Sequence, residues 1–144
     1  MHFLPHPFFA HFPIVLFIFA FVLQVLSLKH LSLLLASKIS LTSGVLMLAV
    51  TFFSGYYAWE SSKVSDKVIN LISIHHTWGR GLLIFSFFAL SVSWADSVAS
   101  SKKTVEILWW SSLVTNLILI AGCAVAGSLG GELVFNHGVG AVIR

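Results

Sequence analysis

Long apolar runs, broken by short polar stretches, set the organisation of this chain. The first runs from about Phe8 to Leu28 and the second from about Ile39 to Trp59. The third runs from about Leu71 to Trp94 and the fourth from about Ile107 to Ser128. Each holds about 20 residues or more, and at 1.5 Å per residue a helix of that length crosses a hydrocarbon layer of about 30 Å. No water is available there, so only a helix satisfies its own backbone polar groups. The pattern predicts an all-α protein, a transmembrane four-helix bundle of up-down-up-down topology, built as a single integral membrane domain over residues 1–144.

The breaks are chemically distinct. Lys29, His30 and Lys38 bracket the first, residues 60–67 form the second, and Asp96 to Glu106 forms the third. Ser65 before Asp66 is a candidate helix cap, which would start the third helix ahead of the membrane and put His75 and His76 near its entry. The five tryptophans, Trp59, Trp78, Trp94, Trp109 and Trp110, stand near segment ends, where membrane–water interfaces favour them. Gln24 and Asn116, deep in the first and fourth segments, read as an interhelical hydrogen-bond pair.

Composition agrees with a chain whose solvent is largely lipid. Of 144 residues, 58% are hydrophobic and 9% charged, where a soluble domain carries about 25% charge. The net charge of +3 is dispersed, which argues against nucleic acid as a partner. Cys123 is the only cysteine; it allows no internal disulfide and reads as small packing. No Cys-x-x-Cys-His occurs, so covalent c-type haem attachment is excluded. The N-terminus lacks the basic region of a signal peptide and reads as a retained anchor.

The span count assigns sides. With the N-terminus on face A, His2, His6, His11, His75, His76 and His137 all belong to face A, and only His30 to face B. Lys and Arg divide evenly between the faces. The leading flank of the first helix has no Lys or Arg and its trailing flank has two Lys, which favours a cytoplasmic face B and extracytoplasmic termini.

Neutral imidazole is the commonest protein metal ligand and suits haem iron. His11 begins the first span and His76 the third, and these two helices lie diagonally across an up-down bundle. Side chains at matching depth would reach one iron from opposite sides, as a bis-histidine haem b requires. His75 and His76 point about 100° apart, so only one faces the bundle axis squarely. Arg80 shares a face with His76 and is a candidate for a haem propionate, or for Glu60, or for the interface. Gly55, Gly79, Gly81, Gly122 and Gly127 leave room for a flat macrocycle, though for any single glycine close helix packing is the stronger reading. For the histidines the plain alternative is interfacial polar packing; His2 reads as solvated, His30 as an interfacial residue beside Lys29, and His6 between Pro5 and Pro7 as loop. Pro7 and Pro13 would hold His6 and His11 in a set geometry.

The string Leu4-Pro5-His6-Pro7-Phe8-Phe9-Ala10-His11-Phe12-Pro13-Ile14 resembles the opening of the membrane family known as domain of unknown function 2231. Gly130-Gly131-Glu132-Leu133-Val134-Phe135-Asn136-His137-Gly138-Val139-Gly140 is similar to that family's ending, and the resemblance spans the chain. It implies a four-span bacterial membrane protein, of a kind for which haem b binding is suspected in some members, and adds His6 and His137 to the candidate ligands. A glycine-rich tail folded back over face A would bring His137 towards the others.

The expectation is a b-type cytochrome subunit of the bacterial inner membrane carrying one or two haem b groups. His11 and His76 would be axial ligands, and His6, His75 and His137 a second set or their supports. Its partners would be the lipid bilayer, other membrane or redox subunits, and quinone. Such a chain is an electron-transfer subunit more than a stand-alone enzyme. A non-catalytic anchoring or assembly subunit is the main alternative. A non-haem metal site or transporter is weaker, because no acidic residue lies mid-span.

Overall fold

The computed structural model describes residues 6–60 and 66–139. The expectations for His2, for Ser65 as a cap and for the Glu60 side chain as a partner of Arg80 lie outside the described residues. A short helix α1 (His6–Phe9) leads into α2 (His11–Leu26), followed by α3 (Leu33–Glu60) and α4 (Asp66–Ala95). One 3-10 turn (Asp96–Val98) precedes α5 (Lys102–Phe135). Four helical spans, with α1 and α2 forming the first, are long and apolar enough to cross a membrane. The protein is an all-α bundle of four such spans.

The bundle is two hairpins set side by side. Helix α2 packs against α3 and α5, and α4 packs against α3 and α5, so α2 and α4 stand diagonally. The centre is apolar and tight: Phe17, Ala20, Val45 and Leu119 are buried. Phe17 lies against Gly44, where an added Cβ would come within 2.6 Å of its ring. Outside, Phe19, Leu46, Phe53, Ile84 and Phe88 are exposed. Apolar cover of that extent faces lipid, since water would not tolerate it.

Three helices are longer than the apolar runs suggested. Helices α3 and α5 start earlier on face B, at Leu33 and Lys102, and α4 starts earlier on face A, at Asp66. Helix α5 ends at Phe135 and not near Ser128. Gly130 and Gly131 are therefore helical, where a glycine-rich tail was expected. Each glycine costs a helix about 1 kcal/mol. The offset is packing beyond the main core, where Leu133 of α5 is buried against Val68 and Ile72 of α4. The helical run is then closed off at Gly138, in the left-handed region at φ 66°. Its N–H donates to the Val134 carbonyl, and Val139 folds back onto Leu133. That is a glycine-capped helix end with its usual apolar contact.

Side-chain donors join the helices through backbone carbonyls. Ser37 donates to Ala20 O at 2.7 Å and Ser40 to Leu16 O at 2.8 Å, tying α3 to α2. Gln24 donates to Trp109 O at 2.9 Å and Asn116 to Phe17 O at 3.4 Å, tying α2 to α5. Gln24 and Asn116 are thus not partners of each other. The helices are antiparallel, and each residue sits seven positions from the other's acceptor, about 10 Å along the axis. Such bonds contribute about 0.6 kcal/mol each.

On face B, Lys38 of α3 pairs with Asp96 beyond α4, with side chains only 10% and 11% exposed. The Lys38 ammonium also lies 5.4 Å from the centre of the Trp94 ring. A lone charge left there loses its counter-ion, whereas an apolar pair fills the same space. Lys38→Met should lower unfolding stability in detergent by about 3 kcal/mol. Adding Asp96→Leu should restore most of the loss; a double variant no better than the single one would refute this account.

Candidate functional site

The site begins with a proline. Pro13 has no N–H, so the carbonyl four residues back, on Phe9, loses its helical donor. The Thr51 hydroxyl of α3 lies 3.0 Å from that oxygen and is shared with the Met47 carbonyl at 2.8 Å. The start of the first span is thereby pinned to α3. His6 is not loop but the first residue of α1. Its Nδ1–H donates to the Thr51 carbonyl at 2.9 Å, with the Ser54 hydroxyl oxygen at 3.2 Å. An imidazole that donates through Nδ1 carries its lone pair on Nε2 when neutral, the arrangement found behind metal-ligating histidines.

Glycine makes the room for this ring. A Cβ on Gly55 would meet His6 Cε1 at 2.7 Å and Nδ1 at 2.9 Å. Across the bundle, His75 of α4 lies over Gly130 of α5, where a Cβ would meet its Cε1 at 3.2 Å. The Nδ1 of His75 is buried and has no hydrogen-bond partner among the described residues. The rings of His6 and His75 have centres 6.0 Å apart and planes 79° apart. His76 stands 6.4 Å from His75 and packs against Trp59 at 4.7 Å, with Phe52 and Tyr56 each at 6.1 Å.

These groups line a cavity of about 340 Å³ at the face A end of the bundle. That volume is at the lower end of small-molecule sites, about 300–1,000 Å³. Pro13, Leu48, Phe52 and Leu82 supply apolar wall, and Cys123 lies in the wall as well. His11 also lines it, with its Nδ1–H donating to the Pro7 carbonyl at 2.8 Å. Of the candidate ligands, His6, His11, His75 and His76 therefore converge on one space. His137 and Arg80 are exposed and outside its lining. The fold-back at Gly138 packs Val139, not His137, onto the helices.

Sequence reasoning paired His11 with His76 by helix starts alone. The ring contacts instead join His6 to His75. Helix α4 begins at Asp66, so His75 lies nine residues inside it and turns towards α1 and α5. Thr51, Ser54 and the aromatic row Phe52, Tyr56 and Trp59 were not anticipated. Their signal was present: two hydroxyls within one turn of an apolar helix, opposite a span whose proline needs a donor.

The sequence model of a family described as "Predicted membrane protein (DUF2231)" matches residues 5–142. The chain belongs to this family. No curated protein and no solved structure matches the chain. The match covers both histidine-bearing termini of this DUF2231 chain, from Pro5 to Val142.

Two substitutions probe the pinning. Thr51→Val keeps the shape and removes the hydroxyl; leaving the Phe9 carbonyl unsatisfied should cost about 1–3 kcal/mol in thermal unfolding. Gly55→Ala should displace the His6 ring, seen as a changed His6 imidazole shift in NMR of the protein in detergent. An unchanged shift would contradict the close fit described above.

Proposed function

We propose that this DUF2231 protein is a haem b-binding membrane subunit that passes electrons at face A, with His6 and His75 as the axial ligands. The observation that carries the reading is their separation across the cavity. Metal–imidazole bonds of about 2 Å place two rings on opposite sides of one metal with centres about 6 Å apart, and these stand at 6.0 Å. The unpartnered Nδ1 of His75 and the Nδ1–H bond that fixes His6 support the same role.

The donor set favours haem over a bare ion. Among the described residues, no three His, Cys, Asp or Glu side chains come together as a metal ion would need. Haem brings four nitrogens and asks only two axial ligands of the protein. When bound, it supplies reversible one-electron iron chemistry. The chain's own residues do the rest. Thr51 orients His6, Gly55 and Gly130 admit the rings, and Leu48, Phe52 and Leu82 exclude water. His11 and His76 line the same space as supports or as a second pair, and Arg80, one turn from His76, is the cation available to a propionate.

Orientation follows the first helix, whose trailing flank holds Lys29 and Lys38. Face B is then cytoplasmic, the membrane is the bacterial inner membrane, and the electron acceptor is an extracytoplasmic redox protein. A second reading, an assembly subunit with packing histidines, is supported by the close packing of His76 against Trp59.

The two readings part on pigment. Protein expressed with ample haem and reduced with dithionite should show a b-type α-band. His6→Ala and His75→Ala should abolish it, and His137→Ala should leave it in place. Thr51→Val should weaken haem retention about tenfold through the loosened His6. A colourless wild-type protein with normal assembly would overturn the haem reading in favour of the structural one.

A further inference from the structure

We infer that Ser54 is a positioning residue: with the Thr51 carbonyl, its hydroxyl oxygen fixes the His6 ring nearly at right angles to the His75 ring. The Ser54 hydroxyl donates to the Thr51 carbonyl at 2.8 Å, three residues back in α3. Serine often bonds back in this way within a helix. The bond uses the hydroxyl's one proton and leaves its lone pairs free to accept. His6 Nδ1 stands 3.2 Å from that oxygen and 2.9 Å from the Thr51 carbonyl oxygen. Its N–H is therefore shared between two acceptors that are tied to each other. A ring on one acceptor can rock about the bond; a second acceptor at another bearing stops it. Gly55 is the floor of this seat. A Cβ there would meet Cε1, Nδ1 and Nε2 of His6 at 2.7, 2.9 and 3.2 Å.

The His75 ring is seated elsewhere, over Gly130 of α5. The two ring planes stand 79° apart, and their seats belong to different helices. The consequence rests on the haem reading. A metal lies in the plane of each imidazole that ligates it, so an axial ring keeps one freedom, rotation about the axis. Hydrogen-bond partners behind the ligand set that rotation. Each ring donates π density into the iron d orbital perpendicular to its own plane. Parallel rings act on the same orbital and split the pair, whereas crossed rings leave the pair nearly equal in energy. Crossed rings on ferric low-spin iron therefore give one large low-field g value in electron paramagnetic resonance, and parallel rings give a rhombic spectrum. The angle between His6 and His75 predicts the first kind, and Ser54 is the side chain that holds it.

Two measurements on the full chain test this, one without haem and one with it. Alanine is a better helix former than serine, so Ser54→Ala keeps α3 and removes only the second acceptor. In haem-free protein in detergent, NMR should show the His6 Nδ1–H exchanging with water about fivefold faster in Ser54→Ala, as expected for one ordinary hydrogen bond lost. Ser54→Thr, which keeps the hydroxyl, should restore the slow exchange. In haem-replete ferric protein, the wild type should show the large low-field g value. Ser54→Ala should shift it towards a rhombic spectrum, and Ser54→Thr should bring it back. Exchange and spectrum both indifferent to Ser54→Ala would overturn the positioning role, and a rhombic wild-type spectrum would overturn the crossed rings. A wild type with no α-band but faster exchange in Ser54→Ala would overturn the haem reading alone.

Discussion

A carbonyl in the hydrocarbon layer must find a donor, and Pro13 makes one that its own helix cannot supply. Thr51 supplies it from the neighbouring helix. The same residue's carbonyl accepts a hydrogen bond from His6 Nδ1–H. One position on α3 therefore anchors the start of the first span and sets the orientation and tautomer of an imidazole. Burial makes both bonds count, because an unmet polar group has no water to turn to. The convergence of His6 with His75 and His76 depends on that anchor, since α1 is only four residues long.

The rest of the bundle follows the same economy. Lipid gives helices no hydrophobic drive to associate, so packing and interhelical hydrogen bonds must hold them. Ser37, Ser40, Gln24 and Asn116 all donate to carbonyls that are already part of a helix. Glycines set the approach distances: Gly44 for Phe17 in the centre, Gly55 for His6 and Gly130 for His75 at face A. The small residues are thus used twice, for core packing and for seating imidazoles.

The four spans were legible because about 20 apolar residues in a row leave few alternatives. The diagonal placement of the first and third spans followed from short connections. Helix ends were legible in part: the polar run up to Ser65 and Asp66 marked the start of α4, whereas the far end of α5 was not marked. The apolar run falters near Ser128, yet α5 continues through Gly130 and Gly131, because Leu133 gains burial against Val68 and Ile72. Polar pairing was half legible: the chemistry of Gln24 and Asn116 announced interhelical bonds, but only the antiparallel register shows that each takes a backbone acceptor. The histidines were legible as a face. The contact of His6 with His75 was not, because His6 read as loop and periodicity does not tell which of His75 and His76 turns inward.

The capped end at Gly138 makes the bundle mechanically lopsided at face A. There α4 and α5 are stapled above the cavity by Val68, Ile72, Leu133 and Val139. On the opposite side, the wall is α1, held to α3 by polar bonds around Thr51 and Ser54. The stapled side behaves as a fixed jamb. The least apolar support for the cavity's mouth is therefore at α1, the segment that carries His6.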